Sequence, residues 1–466
     1  MYNYFSYILN KNIKDSAEKI FEGIAGGREK ALYNWFKDSW AAIEITRDTI
    51  ISCVEKNSFK EDMINELLTA KKEQYKDFSE IFILDNEPKV MFSTFRENIG
   101  KSRKSFPNFS YGLNGKPYMY GPYIDEESLK IKNSSSHFFD EVTLMFSMPY
   151  ENKRSGEIEI LCVRIPNDVM SDVIQEEDTH VYKESGDNYL FMINSNRNIA
   201  KGTAISRSRF EDKTFSLGDN LKDGVQTKKW GVVKVNKHTE FELVFNDPST
   251  NILHIGVANT IKNGSNLDCR PGYPDYRHIM VGGKGITIRP PHSDEVWGMM
   301  CEGDIAEIYK FTSIKSKMVF SYIMLTIFIF IVELGLKKIF NSNIYLEIME
   351  WIIAVGGIYL FTQKLVVKPL IKTVDIIKEL AEGEGDLSLR IEKNSNDEIG
   401  ELARWTNKFI NNQKTMIRRM ERAATDSKQS TETLSKLSTE ISTGISGITK
   451  SIKGFEETLS RENYIF

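Results

Sequence analysis

Val366-Val367-Lys368-Pro369-Leu370 opens a stretch that continues as a helix pattern, passes through Gly383-Glu384-Gly385-Asp386-Leu387-Ser388-Leu389-Arg390-Ile391, and enters a second helix at Asp397-Glu398-Ile399-Gly400-Glu401-Leu402. In the first helix Leu370, Val374, Ile377 and Leu380 fall four, three and three apart, the spacing of a narrow coiled-coil seam. In the second, Ile399, Leu402, Phe409 and Met416 keep heptad-like spacing. Two short helices with narrow seams cannot bury them alone. Their simplest partners are the same helices of a second chain, which gives a parallel four-helix bundle. Pro369 suits a first helical turn, where the N–H it lacks would be unpaired anyway. Asp397 suits the cap of the second helix, with Glu398 near its positive end.

On Pro369, the Gly385-Asp386-Leu387 connector and Asp397-Glu398-Ile399-Gly400-x-Leu402, residues 368–420 resemble a HAMP domain, the signal converter of bacterial transmembrane receptors. The resemblance implies a homodimer and a position next to a membrane. Upstream, Met318 to Val332 is uncharged and the apolar stretch reaches Leu336 past Glu333, just long enough to span a bilayer. A second apolar stretch covers 344–367, with Glu347, Glu350 and Lys364 near its ends. Two spans place the segment before them on the HAMP side, and one span places it on the other. The flanking lysines lean slightly toward two spans.

The chain has 466 residues and a net charge of −4, which predicts two or three domains and gives no nucleic-acid signature. Met1 to Lys11 is too short an apolar run to span, and it carries neither a basic flank nor a cleavage site. From Ile13 to about Tyr75 the pattern is helical, with breaks expected at Gly26-Gly27 and near Asn57. Ile20, Ile24, Leu32, Trp35, Trp40, Ile43, Ile50 and Val54 form one broad buried face.

From Phe78 the pattern turns to short strands: 81–84 and 89–93 as a hairpin, 118–123, 142–149 and 157–165, then a helix from Asp168. A second set follows, with a strand at 188–193, a hairpin of 230–235 with 240–245, and a last strand at 253–258. The strand–turn–strand ending in Ile99-Gly100, the Tyr- and Pro-rich stretch from Gly115 to Tyr123, and the strand ending in Pro149 resemble the membrane-distal half of a double Cache domain, a PAS-like ligand sensor of chemoreceptors. The resemblance implies a small-molecule ligand held by aromatics and paired charges. Arg96, Arg103, Tyr118, Tyr120, Tyr123 and Asp125 lie in the matching loop region.

Residues 266–304 do not fit the second module, being broken by Pro271, Pro274, Pro290 and Pro291 and by several glycines. Gly283-Lys284 lacks the remaining parts of a phosphate-binding loop. Cys269, His278, His292 and Cys301 offer two thiolates and two imidazoles, enough for tetrahedral zinc, although their spacing matches no known signature. A Cys269–Cys301 disulfide is the alternative, and unligated residues are the plainest reading. No cofactor and no catalytic constellation emerge.

The expected fold is therefore α+β: an N-terminal helical segment (1–76), two PAS/Cache-like α/β sensor modules (77–311), transmembrane helices (318–336 and 344–367), a HAMP parallel four-helix bundle (368–420) and the start of a signalling coiled coil (421–466). The expected function is that of a multi-pass cell-membrane chemoreceptor of the methyl-accepting type, C-terminally truncated and not an enzyme. A chemotaxis kinase and adaptor are partners only where a full signalling hairpin follows. The sensor portion of a histidine kinase or cyclase, and a ligand-binding or heterodimerising receptor fragment, are the alternatives.

Overall fold

The computed structural model describes residues 13–55, 61–131, 141–175, 180–209, 225–227, 231–233, 239–247, 250, 252–275, 279–310, 312–339, 344–382, 386–391, 397–421, 423–425, 427–428 and 431. The expectations for Met1 to Lys11, for His278, for Gly385 and for the coiled coil beyond 431 lie outside these residues. The chain divides into two units, Met1–Thr312 and Ser313–Phe466.

The first unit is built along α1 (Ile13–Val54), followed by α2 (Glu61–Gln74). Phe21, Ile24, Leu32, Trp35, Phe36, Trp40, Ile43, Ile50 and Val54 recur at helical spacing and are all buried. The expected break at Gly26-Gly27 does not occur. Ala25 and Arg28, on either side of the glycines, are buried on the same stripe. Two helical glycines cost about 1 kcal/mol each, less than burying Phe21, Ile24 and Leu32 contributes at about 1.5–3 kcal/mol apiece.

One antiparallel sheet contains β1 (Glu80–Leu84), β2 (Val90–Ser93), β3 (Tyr118–Ile124), β4 (Val142–Asn152) and β5 (Glu157–Pro166), in the order β2-β1-β5-β4-β3. Alternation sends Ile81, Ile83, Leu144, Phe146, Met148, Leu161, Val163 and Ile165 to the core shared with α1. The other face carries Phe82, Leu84, Met145, Ile160 and Cys162. It is covered by α3 (Pro107–Leu113), where Gly112 allows the approach: a Cβ there would stand 2.4 Å from Ile160 Cδ1.

After α4 (Asn167–Gln175) comes β6 (Asp187–Met192). The paired strands β7 (Val225–Thr227) and β8 (Gly231–Val233) follow, and then β9 (Asn246–Asp247) with β10 (Ile252–Leu253). The expected hairpin of 230–235 with 240–245 is thus not formed, since β8 pairs with β7 and Phe241 sits in a turn at φ 61°. The expected strand at 253–258 is instead α5 (Ile255–Asn263). His254 caps it by accepting from the Val257 N–H, and Gly264, at φ 77°, closes it in the left-handed conformation.

Residues 266–304, expected to lie outside the second module, form most of its sheet. The strands β11 (Ser265–Pro274), β12 (Met280–Ile288) and β13 (Trp297–Asp304) join β6 in the antiparallel order β11-β12-β13-β6. Their glycines mark close approach rather than loop. A Cβ on Gly283 would meet the Cys301 carbonyl oxygen at 2.1 Å, and one on Gly285 would meet Thr260 Oγ1 of α5 at 1.9 Å. Trp297, Met299 and Cys301 face the core with α1, where Phe36 lies 6.1 Å from Trp297. The chain leaves this module through α6 (Ile305–Ile308).

In the second unit, α7 (Ile314–Ile339) and α8 (Ile344–Thr362) form an antiparallel pair. Gly357 receives Leu325, and the Tyr322 and Thr362 hydroxyls are 3.2 Å apart. Their outward side chains, among them Phe320, Phe328, Ile331, Trp351 and Leu360, are exposed, so these helices are long and apolar enough to cross a membrane. The helix does not restart at Pro369 as expected. It continues from α8 through a π-helical turn (Gln363–Val367) into α9 (Lys368–Glu382). That turn sits directly before the proline, where the regular hydrogen-bond ladder loses a donor.

Asp397 does cap the next helix, residues 398–421, accepting from the N–H groups of Ile399 and Gly400 at 3.1 Å each. Asn407 on that helix pins the connector by bonding both the N–H and the carbonyl of Ile391, at 2.9 Å each. Lys317 pairs with Asp397, and the Ile314 N–H donates to Glu398 at 2.7 Å. The first turn of α7 therefore lies beside the first turn of the 398–421 helix.

A continuous α1 predicts that Gly26→Ala, whose new Cβ meets nothing within 4 Å, stabilises the chain by about 0.5–1 kcal/mol. Denaturant unfolding of the purified protein checks this. A loss of stability would mean that the helix is interrupted there.

Candidate functional site

The outer face of the first sheet carries charge where its alternation predicts apolar residues. Register sets Glu80 opposite Arg164, Phe82 opposite Cys162 and Leu84 opposite Ile160. Glu80 and Arg164 are fully buried, and Arg164 Nε donates to Glu80 Oε2 at 3.0 Å. The other Glu80 oxygen accepts from Ser93 Oγ at 2.7 Å and from the Asn98 amide. Arg164 Nη1 pairs with Asp125 and reaches Ser128 Oγ at 3.2 Å, while Nη2 is buried with no partner. A buried charge is tolerated only when paired in this way.

Burial by itself would raise the Asp125 carboxyl. The Arg164 guanidinium and the Glu127 N–H outweigh it and hold Asp125 below the ordinary carboxylate range. Glu127 is lowered in the same manner, with burial overcome by hydrogen bonds from Lys101 and Arg103. Arg103 also donates to the Asn98 side-chain oxygen Oδ1 and stands 5.5 Å over the Phe106 ring, and its Nε is buried without a partner.

Aromatic rings frame this ion network. Phe106 meets Tyr120 and Tyr123 edge-on at 6.2 and 5.6 Å, and the two tyrosines lie 4.9 Å apart. Residues three apart on a regular strand point to opposite faces. Here a register shift between Tyr120 and Tyr123 brings both to one side. Gly121 permits it, at φ 123° and with the Thr143 carbonyl oxygen 2.8 Å from where a Cβ would stand. The Tyr123 hydroxyl donates to Asp125 at 3.1 Å, and burial pushes its pKa well up.

The second module closes one side. Arg197 lies 5.3 Å over the Tyr120 ring, donates to the Pro122 carbonyl at 3.2 Å and pairs with Glu295.

Of the six residues singled out from the sequence, Arg103, Tyr120, Tyr123 and Asp125 meet here. Arg96 is exposed on a short 3-10 turn (Arg96–Asn98). Tyr118 stands apart, stacked on Tyr111 at 3.9 Å with both hydroxyls on Asp294. Sequence reading missed Glu80, Glu127, Arg164, Phe106, Arg197 and Glu295. The signal for two of them was a lone charge inside an apolar strand: Arg164 in Leu161-Cys162-Val163-Arg164-Ile165, and Glu80 before Ile81.

The weak metal candidates do not assemble. Cys269 and Cys301 are buried, with no disulfide between them, on strands separated by β12, and His292 lies on an exposed loop. No metal-ligating group of three occurs among the described residues.

Comparison with known proteins identifies residues 361–404 as a HAMP domain. The methyl-accepting chemotaxis protein TlpQ of Pseudomonas aeruginosa is 30% identical over 80 residues, which is 17% of this chain and 11% of that protein's length. Among solved structures, the sensory domain of the Campylobacter jejuni chemoreceptor Tlp3 aligns at 11% identity and a TM-score of 0.39, covering 65% of this chain and 98% of that one. An extracellular ligand binding receptor from Desulfohalobium retbaense aligns at 10% identity and a TM-score of 0.39, covering 61% of this chain and 40% of that one.

Removing the central cation leaves two buried acids, Glu80 and Asp125, without the guanidinium that pairs with both. Arg164→Met is expected to destabilise the chain by about 3–5 kcal/mol in urea unfolding. Adding Glu80→Gln and Asp125→Asn should recover part of that loss, because the acids it stranded are then neutral. An Arg164→Met protein as stable as the wild type would show that the network carries no weight.

Proposed function

We propose that this chain is a membrane receptor of the chemotaxis type: its first module binds a small molecule, and its HAMP domain passes the resulting change to an output. The observation that carries this reading is the uninterrupted helix from Ile344 to Glu382, which joins an apolar span to the first HAMP helix without a loop. A rigid connection of this kind conveys a small shift or rotation, whereas a flexible one would absorb it. The chain is a signal transducer rather than an enzyme.

The ligand site is the ring of Phe106, Tyr120 and Tyr123 beside the ion network. Arg103 Nε and Arg164 Nη2 are buried donors without acceptors. They suit a molecule that offers oxygen acceptors and lies against tyrosine faces. Arg96 and Tyr118 are outside this site.

The protein is multi-pass, with α7 and α8 as a hairpin. The contact of Ile314 and Lys317 with the start of the 398–421 helix supports this reading, since it keeps both ends of the hairpin on one side. The module that precedes Ile314 in the chain then faces the same compartment as the HAMP domain. Leu370, Val374, Ile377, Leu402, Phe409 and Met416 are exposed in the single chain. Such a seam needs a second copy, which makes the receptor a homodimer.

Two cysteine substitutions in a Cys53→Ser background test the arrangement. An impermeant maleimide should label Ile344→Cys in intact cells and Ser110→Cys only after lysis. Labelling of Ser110→Cys in intact cells would overturn the hairpin. Oxidation of Val374→Cys in membranes should give a cross-linked dimer, and its absence would overturn the bundle between copies.

A further inference from the structure

In the second module, Glu302 on β13 is a buried carboxylate that the ligand site does not use. It shares a sheet face with Met300, under α5, and two tyrosines hold it. Tyr273 donates to Oε1 and Tyr189 to Oε2, both at 2.7 Å. The Tyr189 hydroxyl also lies 3.1 Å from His254 Nε2. Because His254 Nδ1 accepts from the Val257 N–H, Nε2 carries the hydrogen and donates to Tyr189. A directed chain results, from His254 to Tyr189 to Glu302, with Tyr273 entering from the other side.

This arrangement satisfies the ionised carboxylate's hydrogen bonds but not its charge. Among the described residues no cation pairs with Glu302. The groups around it are Asp187 and Tyr189 from β6, Tyr273 and, farther along, Asp268 from β11, Asp275 just after that strand, His254 at the start of α5 with Asp247 behind it, and Gly283 from β12, which has no side chain. Asp187 is engaged by Gln175 at 2.8 Å and Ser208 at 2.7 Å. The Arg209 guanidinium beside it donates to the Tyr182 and Gly186 carbonyls.

Burial raises the Glu302 carboxyl to about 8 against the pull of the Tyr273 and Tyr189 hydrogen bonds, and Asp275 and Asp187 add to the rise. Burial pushes His254 down to about 3, so it remains neutral throughout.

We propose that the second module is itself a sensor, whose input is the proton and whose binding site is the Glu302 carboxylate held between Tyr189 and Tyr273. Uptake converts an acceptor of two hydrogen bonds into a donor of one, so one tyrosine bond must reverse. Tyr189 already accepts from His254, which leaves Tyr273 to turn its hydrogen away. Tyr273 has no slack in which to do so unaided. A Cβ on Gly256 of α5 would stand 2.3 Å from its hydroxyl oxygen, and its ring is stacked on His254 at 5.3 Å. The two protonation states therefore favour two packings of α5 on the sheet. Glu302 sits near the end of β13, from which the chain continues through α6 to the first apolar helix. Proton binding stands on the geometry alone, and its output rests on the receptor reading above.

The test uses the full chain in lipid nanodiscs. Infrared spectroscopy should show a protonated carboxylic-acid band at about pH 6 that disappears by about pH 9. Glu302→Gln should lack this band. Tyr273→Phe should move its midpoint upward, because it removes a bond that favours the ionised form. The folded carboxyl keeps a proton that the unfolded chain, at the ordinary value of 4.5, has released. Stability should therefore fall as pH rises from 4.5 through about 8, and Glu302→Gln should flatten that slope. In the Val374→Cys protein the rate of cross-linking between copies should change across the same pH window, and Glu302→Gln should abolish the change.

A missing band, or a Tyr273→Phe midpoint that stays or falls, would overturn the proton site. A titrating band with a pH-independent cross-linking rate would overturn the sensor role and leave ligand reception by the first module intact. If Glu302→Gln does not fold, the Tyr273→Phe midpoint decides.

Discussion

One helix is asked to serve two sheets. The stripe along α1 is too wide and too long for a single sheet, and burying it draws both modules onto the same core. Trp35 and Trp40 meet Phe146 of the first sheet at 6.3 and 5.0 Å, and Phe36 meets Trp297 of the second at 6.1 Å. Once each sheet has one face committed to α1, strand alternation fixes what the other face holds. That second face is where the unusual chemistry lies in both modules: Glu80 and Arg164 in one, Glu302 in the other.

The two outer faces handle buried charge differently. In the first module each acid has a cation, and the pairing lowers Asp125 and Glu127 below their ordinary range. In the second, Glu302 has hydrogen-bond donors but no cation among the described residues, and burial raises it. The first arrangement keeps its acids ionised at neutral pH and leaves two buried donors, Arg103 Nε and Arg164 Nη2, without acceptors. The second is close to balance between two states. The modules touch at Arg197 of the second, which pairs with Glu295 and reaches the Tyr120 ring and the Pro122 carbonyl of the first.

The second unit follows a different rule. Its apolar helices expose what a soluble core would hide, and its HAMP helices expose a seam that a single chain cannot cover. On the reading proposed above, lipid covers the first surface and a second copy covers the other.

The sequence by itself determined whatever is written in local periodicity. The heptad seams, the apolar helices, the strands of the first sheet and the Asp397 cap were all legible, because each depends on neighbours within a few residues. It misread elements whose residues answer to distant partners. Gly26-Gly27 looked like a break, but the buried stripe on either side carries the helix through. Residues 253–258 looked like a strand, but His254 and Gly264 cap a helix that rests on Gly285. Residues 266–304 looked foreign to the second module, although their glycines are there to admit Thr260 and the Cys301 carbonyl. The tertiary structure alone decided the candidate sites. Four of the six residues singled out in the sequence come together from the loop region they share, but Glu80 and Arg164 meet because two strands far apart in the chain pair in one register. Glu302 acquires its character only when Tyr189, Tyr273 and His254 close over it. A carboxylate's chemistry is set by what surrounds it in space, and spacing along the chain carries no record of that.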